Sequence, residues 1–250
     1  MKGAWKGLVL AVLAIPANAF FIAENWQWWQ SHATTVSLYY NVVGPMFVLV
    51  LLNEAARALA GRPLLRPADL LFLYAALTTA SALTGHDWLQ PIASLVPHAF
   101  WFSNAANMWV ERICPYLPQF AVLGDREVLK GFYDVGENFW QAKYLIPWLR
   151  PIGFWALFTL LLVGGMLCIS VILRREWTER IRMAYPVIEV PRLLILRPRS
   201  MLRSRVFWVG FAAALVADTF NGLHFRYPIW PSFGGGRLFD IGPLFAERPW

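Results

Sequence analysis

The chain has 250 residues, of which 58% are hydrophobic and only 15% charged, against about 25% charged in an average soluble domain, so water is not its main solvent. A net charge of +7 and a pI near 9.7 point at first to nucleic acid, but the basic residues fall between apolar runs and form no single stripe with exposed aromatics, which argues against that partner and leaves anionic lipid headgroups. Cys114 and Cys168 make neither a disulfide framework nor a cysteine metal site, since one lies in a long loop and the other inside an apolar run.

A helix rising about 1.5 Å per residue needs roughly 20 apolar residues to cross the hydrocarbon layer. Five runs approach that length, at about 7–23, 36–59, 69–85, 152–173 and 206–225. The expected fold class is therefore all-α, a polytopic helical membrane protein of about five spans, in a single membrane domain over 1–250. The first run has two readings. Lys2 and Lys6 before Gly7 to Ile15, with Ala17-Asn18-Ala19 as a small-residue cleavage pattern, fit a signal peptide. The uncharged stretch continues to Ala23, giving 17 residues, and favours an uncleaved first span.

Orientation follows from Lys and Arg, which cytoplasmic loops hold in excess. Lys2, Lys6, Arg57, Arg62 and Arg66 place the N-terminus and the second connection inside. Residues 174–205 carry nine arginines against Glu176, Glu179 and Glu189, a net +6, and form a basic cytoplasmic loop facing anionic headgroups. Residues 86–149 have a net charge of −2 and belong outside. Within them, 88–110 is uncharged but interrupted by Pro91 and Pro97, and reads as an interfacial or re-entrant helix resting on protein. This assignment puts the N-terminus inside and the end of the chain outside, in the plasma membrane.

Trp26, Trp28, Trp29, Trp148, Trp155, Trp177 and Trp208 flank the spans and read as an anchoring belt with wet indole N–H groups. Asp69, after Arg66-Pro67, is expected to cap the third span by accepting backbone N–H bonds. Glu54 and Arg57, three apart, pair on one helix face.

No phosphate loop, HExxH, GxSxG or CxxC is present, so no catalytic residue, metal ligand or cofactor is assigned. Gly234-Gly235-Gly236 reads as a flexible outer turn. Asp218, thirteen residues into the fifth span, is the strongest anomaly. A central charge costs roughly 2.5–3.5 kcal/mol on insertion scales, so it must face protein or a watery cavity. Asn221 shares its face, with His224 and Arg226 near the outer end. Two readings stand: a polar site for an ion, proton or substrate, or an interhelical hydrogen bond or Asp218–Arg226 pair.

On the third span Tyr74, Thr78, Ser81 and Gly85 form a small polar stripe suited to helix packing. It ends at His86-Asp87 at the outer mouth, twelve residues before His98; two His and one Asp could ligate zinc, but adjacent residues rarely both point at one metal, which favours a structural or polar-mouth role. Gly164, Gly165 and Cys168 make a close-approach face on the fourth span.

The blocks GHDWLQ with PHAFWFSNAANMW, PYLPQFAVLGDREVLKGFYD, LRREWTERIRMAYPVIEVPRLL, RVFWVGFAAALVADTFNGLHFRYP and GPLFAERPW resemble an uncharacterised family of large prokaryotic polytopic membrane proteins, the domain of unknown function DUF6785. The resemblance covers Trp5 to Trp250 and implies that further spans follow, making this an N-terminal portion whose helices meet missing C-terminal helices or partner subunits. It implies no activity. A transporter-like permease portion is the leading expectation, with Asp218, Asn221, His224, His86 and Asp87 as its polar membrane site. A non-catalytic scaffold is the alternative, and a membrane-embedded enzyme the third.

Overall fold

The computed structural model describes residues 4–29, 33–34, 38–134, 137–181 and 185–233. Arg182 and the Gly234–Gly236 turn lie outside the described residues, as do the side chains of Trp26, Trp28 and Trp29. Among the described residues the chain is all-helical with no strand, and five helices are long and apolar enough to cross a membrane. It divides into two compact units, Met1–Ile195 and Leu196–Trp250.

The first unit opens with three long helices, α1 (Trp5–Trp29), α2 (Tyr40–Ala60) and α3 (Pro67–Thr84). Helices α1 and α3 run parallel, since Gly7 meets Asp69 and Asn18 meets Ser81 in step along both. Helix α2, which joins them in sequence, runs antiparallel to both, placing Asn41 beside Ser81 and Asn53 beside Leu65. The apolar seam includes Ala11, Val42, Met46, Val50, Leu70, Leu73 and Leu77, all buried. Asn53 locks the α2–α3 turn: its amide donates to the Leu65 carbonyl at 3.1 Å and its carbonyl accepts the Leu65 N–H at 2.9 Å. The Glu54–Arg57 pair forms at 3.0 Å.

The described residues of 86–149 fold into an aromatic cap. Here Val96 of α4 (Leu89–Trp101), Leu129 of α6 (Arg126–Tyr133) and Leu123 of the loop that follows α5 (Trp109–Arg112) pack around Trp148 of α7 (Ala142–Arg175). The prolines of α4 do not interrupt it. Pro91 falls in the first turn, where no intrahelical N–H bond is lost, and Pro97 lies inside the helix. Thirteen residues reach about 20 Å, short of a crossing.

Helix α7 has 34 residues, about 51 Å, well beyond the roughly 30 Å of hydrocarbon. Its first turns belong to the cap, burying Tyr144, Trp148 and Pro151 on one face, whereas its apolar span buries none. This corrects the headgroup reading of Trp148, which is 4% exposed with its indole N–H enclosed and unpartnered. The cap folds over the residues preceding the span, which sequence hydropathy alone assigns to a membrane surface. Trp155 donates to the Ala121 carbonyl at 2.9 Å, tying the start of the span to the cap. A π-helical turn at Glu176–Arg180 and α8 (Pro186–Leu196) follow.

The second unit holds α9 (Pro198–Leu202) and α10 (Arg205–Arg226). Ser204 caps α10 by accepting the Phe207 N–H, and no residue of α10 is buried.

Candidate functional site

Polar groups collect at three levels along α1–α3, the first two buried and the third, around His86 and Asp87, partly exposed. At the first, Asp69 is 1% exposed. One carboxylate oxygen accepts the Arg66 N–H at 3.1 Å, capping α3 as expected, while the other accepts the Gly7 N–H of α1 at 3.0 Å. Gly7 lies in the first turn of α1, where backbone donors have no helical partner, so one carboxylate caps two helices. Only a residue without a side chain fits there, because a Cβ on Gly7 would collide with the Asp69 carbonyl oxygen. Lys6 adds a bond from its ammonium to the Leu64 carbonyl at 3.1 Å.

Twelve residues on, about 18 Å along α3, lies the second level. Asn18 donates to the Ser81 hydroxyl at 2.8 Å, and Asn41 donates to the same hydroxyl at 2.8 Å and to the Asn18 carbonyl at 2.9 Å. Ser81 is fully buried and Asn41 nearly so. Two enclosed oxygens, Asn41 Oδ1 and Thr78 Oγ1, have no partner. An enclosed acceptor without a donor carries a desolvation cost that packing alone does not repay.

The third level lies just past the end of α3. Thr34 contacts His86 Nδ1 at 3.3 Å, and His86 Nε2 lies 3.2 Å from Asp87. Gly85 lets Thr34 approach, since a Cβ there would fall 2.5 Å from its hydroxyl. His98 packs elsewhere in the cap, its ring 4.8 Å from that of Phe102 and 5.6 Å from that of Trp109. Among the described residues no group of three or more His, Cys, Asp or Glu is arranged for a metal ion.

The expected site residues thus fall in separate places. Thr78, Ser81, His86 and Asp87 join one polar column, to which Asn18, Asn41 and Thr34 belong although the sequence reading passed over them. Their signal was available: Asn18 is the one polar side chain of residues 7–23 and Asn41 is an uncharged amide within the run 36–59, and an amide inside a span needs a partner.

On α10, Asp218 is exposed and makes no hydrogen bond or ion pair with another described residue, including Arg226. Asn221 accepts the Phe233 N–H at 2.7 Å and His224 contacts the Trp230 carbonyl, so both tie the chain after α10 back onto it. On α7 a methyl group added at Gly164 or Gly165 would meet no atom within 4 Å, and Cys168 is exposed.

Residues 2–250 match a family described as "Family of unknown function (DUF6785)". No curated protein and no solved structure matches the chain. The match spans nearly the whole sequence, and the chain belongs to the DUF6785 family.

Proposed function

We propose that this chain is a transporter-like permease portion of a prokaryotic plasma membrane, in which the polar column of α1–α3 opens at His86-Asp87 and conducts a small polar solute. The observation that supports it is the unpartnered pair Asn41 Oδ1 and Thr78 Oγ1 beside the Asn18–Asn41–Ser81 cluster. Polar groups serving only as helix glue are satisfied by one another, whereas a conducting site keeps hydrogen-bonding capacity for its cargo. In this reading Asp218 on α10 is a second, ionisable element, and residues 174–205 stay on the cytosolic face. No catalytic role is assigned to any residue.

The test is uptake of a panel of labelled amino acids, sugars and polyols by cells producing the complete protein. A solute accumulated by the wild type and lost in Asn41→Ala/Ser81→Ala supports the reading, and a further loss in Asp218→Asn assigns α10 to the same process. Uptake that is identical in all three overturns it.

The rival is a non-catalytic scaffold, favoured by the apolar stretches of α7 and α10 in which no residue is buried. Copurification of a stoichiometric partner, without stabilisation by any solute, selects it.

A further inference from the structure

The cap carries a concave surface, separate from the polar groups of α1–α3. It is an open cleft of about 560 Å³ lined by Phe100, Ser103, Met108, Val110, Glu111 and Arg126, among others, within the range of about 300–1,000 Å³ typical of small-ligand sites.

Its walls are built by local hydrogen bonds. Asn104 accepts the N–H groups of Ala106 and Asn107, Asn107 accepts those of Asn104 and Trp109, and the Ser103 hydroxyl accepts that of Val110. This network holds Met108 in the left-handed region at φ 47°. Arg126 is fixed along one edge of its guanidinium, donating from Nε to the Phe100 carbonyl at 3.2 Å and from Nη2 to the Ser103 carbonyl at 2.9 Å. Those carbonyls lie at the C-terminal end of α4, where helix acceptors lack partners. The Nη1 edge meets no other described group. Glu111 lines the same cleft and has neither a hydrogen bond nor an ion pair with a described residue.

We propose that this cleft binds a small zwitterion, a molecule with an ammonium and an anionic oxygen group on a short apolar skeleton. The cleft presents one fixed guanidinium edge and one carboxylate, neither neutralised by the protein, against Phe100, Met108 and Val110. A simple anion pairs with Arg126 but meets Glu111, and a simple cation suffers the converse. Only a ligand with both charges gains at each end. The cleft is open and its charges are hydrated, so affinity is modest.

The chemistry is shared by a free α-amino acid and by an ethanolamine phospholipid headgroup, and two arms separate them. In the first, calorimetry of the full chain in phosphatidylglycerol nanodiscs compares L-leucine with leucinamide and 4-methylpentanoate, which lack its anion and its ammonium respectively. In the second, native mass spectrometry compares retention of phosphatidylethanolamine with that of phosphatidylglycerol. Glu111→Gln, which removes a charge that holds nothing in the fold, weakens the preferred zwitterion by roughly threefold to tenfold, whereas Glu127→Gln, on α6 and paired with Lys130, leaves it unchanged. Leucine binding that needs both charges assigns a free amino acid; selective ethanolamine lipid retention lost in Glu111→Gln assigns the headgroup. The proposal is overturned by no binding in either arm, by equal binding of a single-charge analogue, or by indifference to Glu111→Gln.

Discussion

Asp69 accepts the backbone N–H of Gly7 at 3.0 Å across 62 residues of sequence, so one buried carboxylate ends the first turns of both α1 and α3. The contact sets the register between these parallel helices, and the Asn18–Ser81 bond repeats that register, 63 residues apart, further along.

Gly7→Ala places a methyl group against the Asp69 backbone, and the expected cost is about 1–3 kcal/mol from forced separation of α1 and α3. Asp69→Leu leaves two backbone donors unpaired and costs at least as much, while Asp69→Asn keeps an acceptor and costs about 1–2 kcal/mol. Thermal unfolding in detergent measures all three. An unchanged midpoint for Gly7→Ala would show that the helices are not in contact at this level.

A double-mutant cycle over Asn18→Ala and Ser81→Ala should return a coupling of about 0.5–2 kcal/mol, the range found for hydrogen bonds between helices in lipid. Asn41→Ala should couple to Ser81→Ala with similar size, because both amides donate to one hydroxyl. Strictly additive losses would mean that the three side chains do not form a cluster.

The cap has its own close approach. Gly131 of α6 lies against the Tyr144 ring of α7, with no room for a Cβ. The Tyr144 hydroxyl donates to Glu137 at 2.6 Å. Gly131→Ala is expected to loosen the cap by about 1–3 kcal/mol and Tyr144→Phe by about 1 kcal/mol. Since Trp148 is the enclosed centre of the cap, a red shift of tryptophan emission in Gly131→Ala reports the opening; emission like that of the wild type counts against the packing.

Burial pushes the Cys114 thiol above its ordinary value, so the folded state favours the protonated form. The stability this contributes is complete below the unfolded thiol pKa and lost as pH rises through the higher folded value. In a Cys168→Ala background, iodoacetamide should therefore modify Cys114 more slowly at pH 8.5 than it modifies free cysteine, with the rate rising at higher pH or on unfolding. Modification at the rate of free cysteine would contradict an enclosed thiol.

The long apolar runs predict the helices well: α2, α3 and α10 fall within a few residues of their expected bounds. Helix α1 continues six residues past its expected end, and α7 begins ten residues before its expected span because Tyr144 and Trp148 are packed into the cap. The Glu54–Arg57 pair and the Asp69 cap of α3 were equally readable, being contacts within one or two turns. Ser81 and Thr78 were legible as a polar stripe, but not the partners of Ser81, which come from two other helices.

Helix content, the number of helices long and apolar enough to cross a membrane, and the separation of basic from acidic connections follow from the amino-acid order alone, because backbone groups in hydrocarbon must bond within their own segment and each run is judged by its own length and charge. Folding in three dimensions decides which polar atoms meet: that Asp69 reaches Gly7, and that Asn18 and Asn41 converge on Ser81. Such contacts join residues up to 63 positions apart, and their geometry depends on helix register, which neither composition nor periodicity encodes.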